Sequence, residues 1–321
     1  MSFSSEVKEE LSEQLSEARH CQIAEMAAIV NMCGNVLISE AGNYSVQIHT
    51  ENESMARKCF TLLEKAFNIE TEISIKKNRY LKRINGYLIE VKRHQDTIRL
   101  LQATKLMDAK NQIDETVYLV SNLIIQNTCC KRAFLRGAFL SAGSISAPEK
   151  FYHLEIVCTV PEKAEKLQAI MKSLGVEAKV VNRKKYFVVY VKEGAGIVDM
   201  LAIMEANVSL MNLENVRILK EMRNNVNRKV NCETANINKT ISAAVKQIED
   251  IKYIEETVGL SDLTEGLREI AIVRLKYPDA TLKELGEMLT PAVGKSGVNH
   301  RLRKLGDIAE DMRVSKEEEL L

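Results

Sequence analysis

The residues best suited to chemistry are cations and hydrogen-bond donors bunched near the end of the chain, in KSGVNHRLRK over 295–304. On a helix, at about 100° per residue, Val298, Leu302 and Leu305 form an inward stripe, and Ser296, His300, Arg303 and Lys304 take the opposite side. Asn299 and Arg301 fall on the flanks, and Lys295 stands at the start. Such side chains suit base edges and phosphates in a major groove. The charge is lopsided: Lys295, Arg301, Arg303 and Lys304 come first, and Asp307, Glu310 and Asp311 only later. The N-terminal end of a recognition helix is the part that meets bases. A merely solvated charged face is the competing reading, and the asymmetry weighs against it.

The elements that must position this face are legible nearby. Leu282, Leu285 and Leu289 recur at helical spacing, and Thr281 with Glu284 makes a capping-box start. Thr290, Pro291 and Gly294 break the pattern, and Ser296 is expected to cap the next helix. The result is a helix-turn-helix over 281–313, with Thr281 among its candidate DNA-binding residues. A helix over 263–275 precedes it, giving a three-helix arrangement similar to region 4 of bacterial sigma factors. The tail after 314 is expected to fray.

The chain of 321 residues has room for two or three domains, and its net charge of +1 neither requires nor excludes a nucleic-acid partner. No apolar run approaches the roughly 18 residues of a membrane span, and the polar N-terminus is no signal peptide. Seven cysteines without a CxxC spacing fit a reducing cytosol. Cys129 and Cys130 are adjacent and cannot easily pair with each other, and His20–Cys21 is a weak metal hint. Ordinary thiols are the preferred reading, so no metal and no cofactor are expected. Expected placement is cytoplasmic, at the nucleoid.

Before residue 213 the chain says something twice. AEMAAIVNMCG (24–34) and AFLRGAFLSAG (133–143) are apolar, small-residue helices ending in Gly, the left-handed cap position. Each is followed by two strand-like segments, an amphipathic helix, two more strands and a closing helix, a period of about 110 residues. Two αββαββα units sharing one core are expected. Ala27, Ala28, Gly137, Ala138 and Ala142 would let the leading helices pack closely.

Those leading helices, MAAIVNMCG and LRGAFLSAG, resemble degraded copies of the LAGLIDADG motif of homing endonucleases. The resemblance implies that the two helices form the domain interface. It also implies that the residue before each final Gly is the acid that binds the catalytic metal. Here those positions are Cys33 and Ala142, and hard cations want carboxylate oxygens, so nuclease chemistry is expected to be lost. Glu25 and Glu155 are carboxylates outside the motif position, and a divergent metal-dependent nuclease using them is the enzymatic alternative. Lys76, Lys77, Arg79, Lys82 and Arg83 in the first repeat and Arg183, Lys184 and Lys185 in the second are candidate phosphate contacts; a solvated sheet edge guarded by cations is the rival reading. Residues 216–239, with six Lys/Arg, six Asn and two Glu, read as a partly helical connector. Its Arg223 and Arg228 are further phosphate candidates, and a helix follows over 240–254.

Taken in order, SFSSEVKEEL, CCKRAFLRGAFLSAGS, RNNVNRKVNCETANINKT, LREIAIVRL and TLKELGEML with KSGVNHRLRKL resemble the WhiA family across the whole chain. The expected fold class is α+β. An arm (1–20) precedes a LAGLIDADG-like domain (21–212, repeats about 21–106 and 129–206). A connector (213–256), an all-α helix-turn-helix domain (257–314) and a tail (315–321) follow. The resemblance implies a non-enzymatic, double-stranded-DNA-binding transcriptional regulator of cell division and chromosome segregation, and of sporulation in spore formers. RNA polymerase or a developmental co-regulator is a further candidate partner, a polymerase adaptor is another alternative, and no membrane partner is expected.

Overall fold

The computed structural model describes residues 2–77, 85–107 and 120–318. The chain divides into two compact units, Met1–Glu221 and Met222–Leu321.

In the first unit the repeat is visible element by element. The first copy runs α2 (Arg19–Cys33), β1 (Gly34–Ile38), β2 (Tyr44–Thr50), α3 (Glu53–Phe67), β3 (Glu72–Lys77), β4 (Asn85–Val91) and α4 (His94–Ala103). The second runs α5 (Thr128–Ala142), β5 (Gly143–Ile145), β6 (Leu154–Cys158), α6 (Pro161–Ser173), β7 (Lys179–Arg183), β8 (Tyr186–Val191) and α7 (Gly194–Met204). Each copy folds into a four-stranded antiparallel sheet of the same order, β1-β2-β4-β3 and β5-β6-β8-β7. The hydrophobic alternation of strands such as Leu154, Ile156 and Cys158 turns one face of each sheet into a shared core.

The helices α2 and α5 are buried along most of their length, consistent with their lack of a polar face. Their close approach depends on Gly137. A Cβ there would stand 2.4 Å from the Glu25 carbonyl oxygen and 3.0 Å from Ala28 Cβ. The terminal glycines were expected in a left-handed cap; instead Gly34 (φ −84°) and Gly143 (φ −88°) are extended. Glycine is needed there for space, because a Cβ would lie 2.6 Å from Val30 O and 2.3 Å from Phe139 Cδ2 respectively.

The N-terminal stretch is part of this unit. Helix α1 (Phe3–Glu13) buries Val7 and Leu11 completely. Its Glu10 carboxylate accepts from Val208 N (2.8 Å), Ser209 N (2.9 Å) and Ser209 Oγ (2.6 Å). Those donors open α8 (Asn207–Thr257), where unsatisfied N–H groups favour a carboxylate. The expected partly helical connector with a later helix is in fact this one continuous 51-residue helix, whose Asn-rich surface is solvated and leaves the backbone ladder unbroken.

The second unit adds α9 (Glu265–Lys276), α10 (Leu282–Glu287) and α11 (Lys295–Glu318). Its core joins Leu267, Ile270, Leu285, Leu289, Val298, Leu302 and Leu305 to Ile251 and Ile254 from the end of α8. The helical module therefore begins before residue 257. Residues 315–318, expected to fray, continue α11.

Candidate nucleic-acid interface

The helix-turn-helix is held by both local and tertiary contacts. Thr281 Oγ1 accepts from Glu284 N, and Glu284 Oε2 accepts from Thr281 N at 2.7 Å, the full capping box. The bonds it receives from the Thr281 backbone N–H and hydroxyl hold the Glu284 carboxyl below its ordinary value. Arg274 ties α9 to its neighbours, donating from Nη1 to Ala280 O (2.6 Å) and from Nε to Gln247 Oε1 (3.1 Å).

Helix α11 starts at Lys295, so Ser296 sits inside its first turn; the expectation that it caps the helix is corrected. Val298, Leu302 and Leu305 are 0%, 2% and 1% exposed. Lys295, Ser296, Asn299, His300, Arg303 and Lys304 are all exposed, as is Thr281. Among the described residues, the ion pairs of this unit are made by Lys283 with Glu287 and by Arg313 with Asp250 and Glu310. Among the described residues, Lys295, Arg303 and Lys304 thus have no carboxylate partner, and their charge is available to an anionic ligand. Arg301 differs: it is half-buried, and its Nη1 donates to Gly266 O in α9 at 3.2 Å. Its expected flank position proves to be a seam between two helices.

In the first unit, Arg183 closes β7 and its Nη1 donates to Glu155 Oε2 at 2.9 Å. Lys184 (φ +56°) and Lys185 are exposed and form the turn into β8. Lys76 and Lys77 end β3; Arg79, Lys82 and Arg83 lie outside the described residues. Arg223 and Arg228 are exposed on α8.

The feet of α2 and α5, where the nuclease acids would stand, hold Cys33 and Ala142. Cys33 Sγ donates to Ile29 O at 3.1 Å, burial pushes its thiol up to about 11, and a single sulfur is a poor ligand for the hard cations of phosphodiester cleavage. Lys8 and Lys163 exert charge on the same thiol, so cations stand where a metal would need carboxylates.

The two alternative carboxylates are committed elsewhere. Glu25 is fully buried, 3.2 Å from Lys58 Nζ and 3.3 Å from Arg136 Nε. These are ion-pair distances without hydrogen-bond alignment at either carboxylate oxygen. Burial pushes the Glu25 carboxyl up, opposed by Arg136 and Lys58. Arg136 reaches on to Glu205 (2.8 Å) and Ser16 Oγ (2.7 Å). Glu155 bonds His153 Nε2 at 2.9 Å besides Arg183; burial raises its pKa, and these two partners outweigh that, holding it below the usual range.

Packing also brings together His20, Cys21, Cys129 and Cys130, a grouping that adjacency in the sequence did not establish. The available signal was their matched place, second and third in α2 and in α5.

A two-repeat LAGLIDADG-like domain with its acids replaced, followed by a helix-turn-helix unit, defines the class of protein. Three family models match: the WhiA N-terminal LAGLIDADG-like domain over 19–107, the WhiA LAGLIDADG-like domain over 131–223, and the WhiA C-terminal HTH domain over 226–309. A "Probable cell division protein WhiA" from Lachnoclostridium phytofermentans is 56% identical over 313 residues, covering 98% of this chain and 100% of that protein. One of the same name from Alkaliphilus oremlandii is 50% identical over 317 residues, covering 98% and 99%. The crystal structure of full-length DUF199/WhiA from Thermatoga maritima matches with a TM-score of 0.59 at 24% identity, covering 97% and 99%. The chain belongs to the WhiA family.

Proposed function

We propose that this protein is a non-enzymatic DNA-binding regulator of cell division, which seats the N-terminal turns of α11 in the major groove. One observation carries the reading: Ser296, His300, Arg303 and Lys304 form an exposed face opposite the buried Val298–Leu302–Leu305 stripe, Lys295 and Asn299 are exposed beside it, and among the described residues its cations have no carboxylate partner. In this reading Arg303 and His300 address base edges and Lys295 and Lys304 phosphates. Lys184 and Lys185, with Lys76, Lys77 and Arg183, add phosphate contacts from the first unit, and Arg223 and Arg228 from α8. The cell-division role rests on the names of the relatives. Cys33, Ala142 and the neighbouring cations support loss of phosphodiester cleavage, and the burial of Glu25 removes one of the two substitute ligands.

Selection of bound fragments from random DNA, followed by affinity against salt, tests the binding. The expected result is a preferred sequence and a log–log slope that falls by about 0.9 for each phosphate contact removed. Equal, weak affinity for all fragments would refute the groove reading. Incubation of supercoiled plasmid with magnesium or manganese tests the chemistry; nicking abolished by Glu155→Ala would restore the nuclease reading.

A further inference from the structure

The N-terminal ends of α2 and α5 meet at the end of the repeat interface remote from Cys33 and Ala142. There His20, Cys21, Cys129 and Cys130 each offer one ligand atom, and all four atoms lie within 4.8 Å of one another. We propose that this cluster binds one zinc-class divalent cation through His20 Nδ1 and three cysteine thiolates, as a structural staple between the two repeats.

The geometry is close to what such an ion needs. Zn–S bonds of about 2.3 Å and Zn–N bonds of about 2.0–2.1 Å, set tetrahedrally, place neighbouring ligand atoms about 3.5–3.8 Å apart. His20 Nδ1 stands 3.2 Å from Cys130 Sγ and 3.4 Å from Cys21 Sγ. Shifts of a few tenths of an ångström at these edges, and a closure of about 1 Å at the widest, complete the tetrahedron around the ion. The donor set settles the class of ion. Three sulfurs and an imidazole select soft or borderline metals, and they discriminate against magnesium and calcium.

The surroundings suit the charge. Three thiolates and a divalent cation leave a net negative centre, and two helix N-termini point their partial positive charge at it. Cys21 and Cys130 are buried, whereas His20 and Cys129 are exposed, so the ion has an entry path from solvent. That path opens through a pocket shared with Ser16 and Arg132. The four ligands fill a tetrahedral shell, which marks a structural centre without an open position for catalysis. The placement also follows from the repeat. The second and third residues of each leading helix supply the ligands, and the packing of α2 on α5 brings the pairs together. Three of the chain's seven cysteines converge here, while all seven are free thiols.

The full chain, purified with thiols reduced and without chelator, should retain one zinc per molecule after dialysis against metal-free buffer. Cobalt(II) added to the metal-free protein should give the thiolate charge-transfer band and the intense ligand-field absorption of a tetrahedral site, saturating at one equivalent. His20→Gln and Cys129→Ser alter exposed positions and leave the fold intact. Each should weaken the bands and raise the cobalt dissociation constant at least tenfold, whereas Cys232→Ser should change neither. Zinc should also raise the melting temperature of wild type and not of Cys129→Ser. A reduced, folded protein that gives no thiolate–cobalt band overturns the proposal, as does a band that survives both His20→Gln and Cys129→Ser. None of these readouts depends on DNA.

Discussion

Leu302 and its neighbour Arg303 make opposite predictions. Leu302 is 2% exposed against Ile270, Leu285 and Leu305. Truncation to alanine removes buried methyl groups and leaves a cavity, at a cost of about 2–5 kcal/mol. For a unit of about a hundred residues each kcal/mol moves the melting temperature by roughly 4–8 °C, so Leu302→Ala should lower it by about 8–40 °C. Arg303 is exposed and has no carboxylate partner among the described residues, so Arg303→Ala should change stability by less than about 0.5 kcal/mol. Its effect should appear in DNA binding. Loss of an arginine–guanine contact costs about 1–3 kcal/mol, or roughly 5- to 150-fold in affinity for the selected site, with relaxed preference at one base. Thermal melts and fluorescence-anisotropy titrations on selected and scrambled duplexes read both effects. An Arg303→Ala protein that is folded and binds both duplexes like wild type would refute the assigned orientation of α11. So would one that melts as early as Leu302→Ala.

Arg301→Ala should lose about 1 kcal/mol of stability, the worth of its bond to Gly266 O, with affinity per folded molecule unchanged; circular dichroism melts paired with titrations check this. Glu25→Ala removes the carboxylate beside the buried Lys58 and leaves Arg136 paired with Glu205 alone, and should destabilise the first unit by about 3–5 kcal/mol, measured by urea denaturation. Glu155 is held below its unfolded pKa of about 4.3, so its stabilisation is complete above that value and is lost as pH falls through the lower folded value. Glu155→Gln should therefore flatten the acid limb of the stability–pH curve. A fragment beginning at Thr257 omits the fully buried Ile251 and Ile254 and should be less stable than one beginning at Thr240 by about 4 kcal/mol, seen by denaturant melts of the two.

Short-range features were legible in the sequence because the residues that encode them touch one another along the chain. The Leu282, Leu285 and Leu289 spacing, the Thr281–Glu284 box and the Val298–Leu302–Leu305 stripe are set within one or two helical turns. The repeat was legible for the same reason, since each αββαββα unit carries its own periodicities in the same order. What the packing of one element on another alone decided lies across larger separations. Periodicity placed Arg301 on a flank, and only α9 makes it a bond to Gly266. Glu25 read as an available carboxylate until α3 and α5 brought Lys58 and Arg136 around it. His20 and Cys130 are 110 residues apart, and no local pattern couples them. Their meeting follows from the Gly137 contact that lets α2 and α5 approach, because burial and charge pairing are properties of a packed interface rather than of either helix.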